Sequence, residues 1–223
     1  MRRWILLLAL LLAACTPPNG APPSRTVVTL GDSVPAGTSC DCDPFPDLYA
    51  REQHAISWNL AAGGSTSADV RAAVPGRRNL LSSSAEVIIM TGANDMASAF
   101  DQPAQYATVA ATIQANVAAA VTAIEQIHHV PVIVLGYWNV VLDGQVGVAQ
   151  YGPSGVRDAA SATAAVNTAL QAAARGSGAT YVSTVDAFHG DDGSHDPTGL
   201  LAPDGDHPNA AGHAVIAALI PPL

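Results

Sequence analysis

The 223-residue sequence contains no lysine, and all nine of its basic residues are arginines. A chain without lysine cannot contain the P-loop that binds nucleoside triphosphates, form a Schiff base through a lysine amine, or use a lysine as its acylation base. Charged residues make up only 12% of the chain, and the formal net charge is −9. Because such a charge repels phosphate backbones, it argues against nucleic acid as a partner.

Long hydrophobic runs are scarce as well. The N-terminal run, residues 4–15 after Met1-Arg2-Arg3, is shorter than the ~20 residues that span a bilayer, and it predicts a signal peptide over residues 1–14. Its end, Leu12-Ala13-Ala14-Cys15, resembles the bacterial lipoprotein signal, in which the cysteine is acylated. We therefore expect Cys15 to anchor the protein outside the cytoplasm on the bacterial cell membrane, with residues 15–24 as a flexible tether. The alternative is an ordinary secretory signal and a soluble product.

Only two further cysteines are present, Cys40 and Cys42, and each is the other's only partner within the folded part of the chain. An oxidising compartment favours a disulfide between them, although a bridge across one residue is uncommon. Two free thiols in a loop are the alternative. A C-x-C pair lacks the spacing of a structural zinc site.

Short apolar segments alternate with alanine-rich segments of helical periodicity along residues 25–223. Strands are predicted at 25–30, 55–60, 85–90, 130–135 and 180–182, and helices at 106–127, 159–175 and 210–219. Pro103 stands at the first turn of the first helix, Gly176 follows the second, and Asn209 opens the third. Residues 138–156 are predicted to be a loop. This alternation predicts a single α/β domain, a three-layer α/β/α sandwich of flavodoxin-like type around a parallel five-stranded sheet.

Polar residues follow the predicted strands in chain order. They are Gly31-Asp32-Ser33 after the first strand, Asn59 with Gly63-Gly64 after the second, Gly92-Ala93-Asn94-Asp95 after the third, and Asp204-Gly205-Asp206-His207 ahead of the last helix. Because ligands of parallel sheets gather at the carboxyl ends of the strands, these segments are expected to meet at one edge.

This ordered set resembles the SGNH, or GDSL-type, esterase and lipase superfamily, whose four sequence blocks centre on Ser, Gly, Asn and His and span most of the folded chain. The resemblance implies that Ser33 is the nucleophile, His207 its general base and Asp204 the residue that orients the imidazole. It also implies an oxyanion hole formed by the N–H groups of Ser33 and Gly64 and the side chain of Asn94. Such enzymes hydrolyse carboxylic esters through an acyl-serine intermediate without a cofactor or metal.

The sequence departs from the family pattern at Val34, where leucine is usual. Asp206 is the alternative partner for the histidine, but adjacent side chains rarely face each other, so Asp204 is favoured. Gly63 is the alternative oxyanion donor. Asp32 and Asp95 are expected to stabilise turns.

Residues 189–196 contain the residue types of a metal site, but without the spacing of a metal-ligand motif they are expected to form a solvated loop. Two other functions are compatible with the same residues: a noncatalytic lipoprotein that binds a glycan or lipid, and an acyltransferase. The expected partner is an ester of a small molecule, lipid or glycan, and the expected state is a monomer.

Overall fold

A computed structural model of the chain describes residues 25–223, so the predicted signal peptide, Cys15 and the tether lie outside the described residues. Within this part, parallel strands form one sheet of five in the order β2-β1-β3-β4-β5. Their bounds are β1 Arg25–Gly31, β2 Ala55–Asn59, β3 Glu86–Met90, β4 Val132–Leu135 and β5 Thr180–Val182. Helices flank the sheet, which confirms the predicted three-layer α/β/α architecture.

The apolar composition of the inner strands follows from their position. Every residue of β3 and of β4 is buried, because helices cover both faces of a parallel sheet. Strand β2 lies at the edge and alternates between half-buried and exposed residues, with Ile56 and Trp58 46% and 48% exposed. The sheet therefore buries its centre and exposes one apolar edge.

Helices α1 to α7 connect successive strands, and α8 and α9 follow the last strand. They are α1 Ser33–Ala36, α2 Phe45–Glu52, α3 Ser67–Ala73, α4 Arg78–Leu81, α5 Ala93–Ala97, α6 Tyr106–Ile127, α7 Gly144–Ser177, α8 Val185–His189 and α9 Ala210–Leu219. The predicted helices at 106–127 and 210–219 are confirmed. Pro103 begins a 3₁₀ turn immediately before α6, and the side chain of Asn209 accepts hydrogen bonds from the first N–H groups of α9.

Helix α6 and the turn before it are long and apolar enough to cross a membrane by length and composition alone. In the fold, α6 packs against α3 and α7. It buries Ile113, Val117, Val121 and Ile124, which are spaced at three to four residues along one face. It is therefore a core helix of the described domain.

Helix α7 corrects two predictions. The predicted loop at 138–156 is wrong from Gly144 onward, and the predicted helix at 159–175 begins at Gly144 and ends at Ser177. Asp143 caps the first turn, and a kink at Gly152, followed by Pro153, joins two helical segments. The Gly-Pro pair has the composition of a loop but acts as a junction, since proline fits the first turn of a new helical segment. Gly178, with a positive φ of 80°, caps the end instead of Gly176.

Candidate active site

Ser33 is presented by a tight turn at the carboxyl end of β1. It is the first residue of the short helix α1, and the side chain of Asp32 caps that helix by accepting the Val34 N–H at 3.1 Å. A Cβ atom at Gly31 would lie 2.2 Å from the Met90 carbonyl oxygen, so only glycine fits beside β3. The turn is thereby held close to the neighbouring strand with the serine at the open edge of the sheet.

Asp204 and His207 form a hydrogen-bonded pair on the segment before α9. The Asp204 Oδ2 atom lies 2.8 Å from His207 Nδ1, whereas Asp206 Oδ2 is 3.9 Å from the same nitrogen. The other oxygen of Asp204 accepts the backbone N–H groups of Asp206 and His207, at 3.0 and 3.1 Å. The geometry therefore favours Asp204 over Asp206 as the partner of the imidazole.

The hydrogen bonds to Asp204 also control its charge. Partial burial by itself would raise the pKa of this carboxyl group, but the Ser39 hydroxyl, the backbone N–H groups and the His207 ring outweigh burial and hold the pKa well below its usual range. The carboxylate therefore stays ionised next to the imidazole at neutral pH.

Backbone contacts hold the 204–207 turn in place. The Ala202 N–H donates to the His207 carbonyl at 2.7 Å, and the Asp143 N–H donates to the Gly205 carbonyl at 2.7 Å. Gly205 has a φ of +73°, and a Cβ atom there would lie 2.5 Å from the Val146 Cβ. A glycine is thus required, and the turn is tied directly to the start of α7.

The predicted oxyanion donors have free N–H groups. Among residues 25–223, the backbone N–H groups of Ser33, Gly63 and Gly64 donate to no backbone carbonyl. Gly64 has a φ of +80°, a conformation that favours glycine. A Cβ atom at Gly63 would lie 4.0 Å from the Ser33 Cβ, which places the alternative donor next to the serine.

Asn94 and Asp95 lie in the short helix α5, directly after β3, and make different contacts. Asn94 Nδ2 donates one hydrogen bond to the Ser65 carbonyl at 2.9 Å, which orients the amide and leaves its second N–H for a ligand. Asp95 accepts the backbone N–H and the hydroxyl of Ser67 at 2.8 and 2.7 Å. Asp95 therefore connects α5 to the first residue of α3, a structural contact in keeping with its predicted role.

Ser33, Asn94 and His207 line a common cavity of about 250 Å³ at the carboxyl edge of the sheet. No direct hydrogen bond joins the side chains of Ser33 and His207 in the described part of the chain. Such bonds are often long in ligand-free active sites and shorten when substrate binds. The fold thus brings the predicted nucleophile, base and amide donor to one cavity from three separate segments.

Tyr137 is a site residue that the sequence reasoning assigned no specific role. It follows β4 at the same edge of the sheet, is 1% exposed, and lines the cavity. Its hydroxyl group donates a short hydrogen bond to the buried carboxyl of Asp32. The side chain of Asn167 on α7 holds the backbone of Tyr137. Its Oδ1 atom accepts the Tyr137 N–H at 2.9 Å, and its Nδ2 atom donates to the Tyr137 carbonyl at 2.8 Å. The sequence feature that could have indicated this role is the position of Tyr137 just after a predicted strand.

The two cysteines are joined in a disulfide, with their Cα atoms 5.1 Å apart. A ring nitrogen of the buried His213 lies within 4.8 Å of both sulfur atoms. Because the sulfurs are bonded to each other, they are not the thiolates that a metal site requires. Within the described residues, the 189–196 loop brings no three potential metal ligands together.

Both the sequence and the fold are similar to those of known proteins. The model of the GDSL-like Lipase/Acylhydrolase family matches residues 29–215. This range contains Ser33, Gly64, Asn94, Asp204 and His207. No curated protein matches the sequence significantly.

Several solved structures share the fold. A lipase from a goat rumen metagenome has a TM-score of 0.72 at 16% identity, with 87% of this chain and 95% of that chain covered. Phospholipase A1 from Streptomyces albidoflavus NA297 has a TM-score of 0.65 at 20% identity, covering 89% and 100%. An acetylxylan esterase from Geobacillus stearothermophilus, solved as a catalytic mutant, has a TM-score of 0.64 at 17% identity, covering 87% and 91%.

Proposed function

Because the chain belongs to the GDSL-like lipase/acylhydrolase family, we propose that it is a serine hydrolase that cleaves carboxylic esters through an acyl-serine intermediate. The observation that carries the proposal is the Asp204–His207 pair, 2.8 Å between Oδ2 and Nδ1, on the cavity that Ser33 and Asn94 also line. A nucleophile, a base with its orienting carboxylate and an amide donor are the groups that acyl transfer requires.

In the first step, the Ser33 oxygen attacks the ester carbonyl carbon while His207 Nε2 takes the hydroxyl proton. The carboxylate of Asp204 holds the proton on Nδ1, which leaves Nε2 as the acceptor, and it stabilises the imidazolium that forms. His207 then gives the proton to the leaving alcohol oxygen as the ester bond breaks, and Ser33 remains acylated. Water repeats the sequence in the second step, releasing the carboxylic acid and restoring the serine.

The negative charge that develops on the carbonyl oxygen needs hydrogen-bond donors. The N–H groups of Ser33 and Gly64 and the second N–H of Asn94 are assigned this role, because the first two donate to no backbone carbonyl among the described residues. Each such donor stabilises a transition state by ~2.7–4 kcal/mol in measured oxyanion holes. The donors lie at the start of α1, in the segment between β2 and α3, and in α5, and the fold holds all three segments near the carboxyl edge of the sheet.

The proposal is tested by replacing the nucleophile. Ser33→Ala is expected to abolish hydrolysis of 4-nitrophenyl acetate and labelling by a fluorophosphonate probe, with an unchanged circular dichroism spectrum. Ser83→Ala, whose hydroxyl donates to the Leu80 carbonyl on the surface, is a matched control that should keep both. Retained turnover in Ser33→Ala would remove Ser33 from the mechanism.

Two other outcomes would favour the alternative functions. A wild-type protein that binds a lipid or glycan tightly but is never labelled by the probe would be a noncatalytic binder. A labelled protein that yields a new ester when an acceptor alcohol is added, in preference to the free acid, would be an acyltransferase.

A further inference from the structure

The proposed nucleophile and the proposed amide donor lie on separate short helices. Ser33 is the first residue of α1, after β1, and Asn94 is the second residue of α5, after β3. The two helices have four and five residues, and helices of that length are not stable by themselves. An oxyanion donor acts only when it is held at the position where charge develops. The contacts that hold α1 and α5 relative to each other therefore bear on the reaction.

Tyr137, which follows β4, contacts the nucleophile turn through its hydroxyl group. The hydroxyl donates to Oδ2 of Asp32, the residue before Ser33, and Oδ1 of the same carboxyl accepts the Val34 N–H at 3.1 Å. Asp32 is 0% exposed and Tyr137 is 1% exposed, so their hydrogen bond forms away from water, where it is electrostatically stronger. Tyr137 is thus connected through one buried carboxyl to the residues on both sides of the nucleophile.

The same hydroxyl group also contacts the start of α5. The N–H of Ala93, the first residue of α5, is a hydrogen-bond partner of the Tyr137 oxygen. Burial and the carboxyl of Asp32 raise the pKa of Tyr137 well above its ordinary value, and the Ala93 N–H acts in the opposite direction. Ala93, Asn94 and Tyr137 also line the cavity around Ser33 together. One hydroxyl group therefore joins the nucleophile turn to the helix that carries the amide donor.

Helix α7 holds the backbone of Tyr137 in place. Asn167 accepts the Tyr137 N–H at 2.9 Å and donates to the Tyr137 carbonyl at 2.8 Å. A Cβ atom at Gly136 would lie 2.8 Å from Asn167 Oδ1, so the close approach of Asn167 requires a glycine before Tyr137. Because α7 is a long helix with a buried face, it gives the tyrosine a rigid support.

Tyr137 has no partner through which it would exchange a proton with a substrate. Its hydroxyl proton is donated to Asp32, and the raised pKa keeps the phenol protonated at neutral pH. Within residues 25–223, the carboxyl of Asp32 accepts hydrogen bonds from Tyr137 and Val34 and none from Ser33 or His207. The hydroxyl group of Tyr137 therefore acts through other residues, by holding them in place.

We propose that Tyr137 is a positioning residue that sets the distance between the Ser33 oxygen and the Asn94 amide, so that the amide meets the oxyanion formed when Ser33 attacks an ester. This inference rests on the proposed ester hydrolysis. Without the hydroxyl group, α1 and α5 each remain attached to their own strand but lose this connection to each other. Since a misplacement of about 1 Å can lower a rate by about 10²-fold, we expect turnover to suffer more than substrate binding.

Tyr137→Phe removes the hydroxyl group and keeps the ring. For 4-nitrophenyl acetate, kcat and kcat/KM should fall together by about 10- to 100-fold, with little change in KM. Tyr49→Phe is the matched control, because Tyr49 is also buried and donates to a backbone carbonyl, that of Pro221 at 2.8 Å, but does not line the cavity. Tyr49→Phe should leave kcat unchanged. Full activity in Tyr137→Phe would overturn the inference.

A double-mutant cycle with Asn94→Ala separates positioning from a merely structural role. Asn94→Ala alone should lower kcat/KM by about 10²- to 10³-fold, measured with the rate of Ser33→Ala subtracted as background. In that background the Tyr137 hydroxyl has no amide left to align, so adding Tyr137→Phe should lower kcat/KM by about threefold at most. A structural loss would instead lower kcat/KM by the same factor with and without Asn94, and this result would overturn the inference.

Asn167→Ala provides a second route if circular dichroism shows that Tyr137→Phe does not fold. It removes both side-chain hydrogen bonds to the Tyr137 backbone, and it should lower kcat/KM by a larger factor in the wild-type background than in Asn94→Ala. Equal factors in the two backgrounds, including no loss in either, would overturn the inference. Failure of the proposed function gives a different result, because the wild-type protein would then hydrolyse no ester and Ser33 would not react with the fluorophosphonate probe.

Discussion

At the scale of single residues, the site contains three aspartates near one histidine with different surroundings. Asp204 contacts the imidazole of His207 and is held ionised by hydrogen bonds. Asp206 is 3.9 Å from the same ring, and Asp32 is fully buried beneath the nucleophile turn. These surroundings imply different contributions to the reaction.

Replacement of the first two aspartates separates their roles. Asp204→Asn keeps the shape but no longer fixes the His207 tautomer, and kcat for 4-nitrophenyl acetate should fall by about 10³- to 10⁴-fold with little change in KM. Asp206→Asn is the matched control and should change kcat by less than about tenfold. Steady-state kinetics checks both, and similar losses in the two variants would contradict the assignment of Asp204.

The buried carboxyl of Asp32 couples folding stability to pH. Burial raises its pKa from 3.8 to about 7, although the hydrogen bonds from Tyr137 and the Val34 N–H act in the opposite direction. Burial likewise raises the pKa of Glu86 on β3 to about 7. At pH values between the ordinary pKa of each carboxyl group and its raised pKa, the folded state binds more protons than the unfolded state. The contribution of each group to stability therefore falls as the pH rises from about 4 to about 7.

Asp32→Asn should therefore reduce this pH dependence. Urea unfolding of the wild-type protein is expected to give a lower free energy of unfolding at about pH 7.5 than at about pH 4.5 through these two groups, and the difference should be smaller in Asp32→Asn. Glu86→Gln provides an independent comparison of the same kind. An unchanged pH slope in both variants would mean that these carboxyls ionise at ordinary pH values in the folded state.

At the scale of secondary structure, α7 lines a surface cavity with residues on both sides of its kink, and its first segment supports the catalytic turn. The segment before Gly152 contributes Val146, which packs on Gly205, and Val148, which lines the cavity. The segment after it buries Ala162 and Val166 in the core. Because of the kink, the first segment of α7 packs on the catalytic turn while the second segment packs in the core.

The conformation of Gly152 makes this kink sensitive to substitution. Gly152 has φ 63° and ψ −176°, a region that is essentially restricted to glycine, and a Cβ atom there would meet no atom within 4 Å. Gly152→Ala should therefore destabilise the fold by ~1–3 kcal/mol through the backbone alone. Gly176→Ala is the matched control, since its Cβ also has free space, and it should stabilise α7 by up to ~1 kcal/mol. Chemical denaturation measures both, and equal effects would argue against backbone strain.

At the scale of the whole molecule, the start and the end of the described chain lie together, away from the site. The Arg25 side chain, at the first residue of β1, donates to the Leu223 carbonyl at 3.1 Å. Ser33 follows the opposite end of β1, at the carboxyl edge of the sheet. A tether that enters at Arg25 would leave the catalytic cavity free to meet substrates.

We propose that acylation of Cys15 attaches the protein to the membrane through this tether. In a bacterial host, Cys15→Ser should move the protein from the membrane fraction to the soluble fraction without changing kcat/KM for 4-nitrophenyl acetate. Cys40→Ser with Cys42→Ser retains Cys15 and should leave the protein in the membrane fraction. A soluble wild-type protein would show that the leader is an ordinary secretory signal.

The order of strands and helices could be predicted from the sequence because apolar periodicity is a local property. Strand 180–182 and helix 210–219 agree with the structure at both ends. The site blocks were also recognisable, since each is a short segment directly after a strand or before a helix. The prediction from local sequence was wrong at Gly152-Pro153, because these two residues suit either a loop or a helical kink. Only the packing of the 144–151 segment decides between the two structures.

The sequence by itself indicated the class of chemistry, because its blocks centred on Ser33, Gly64, Asn94 and His207 occur in the order that the SGNH superfamily shows. Tertiary structure decided which groups act on each other. The Asp32–Tyr137 hydrogen bond, the Asp143–His189 contact and the cavity between α7 and the 189–197 segment all join segments that are distant in the chain. Such contacts depend on how helices pack over the sheet, and no local pattern of residues encodes that packing.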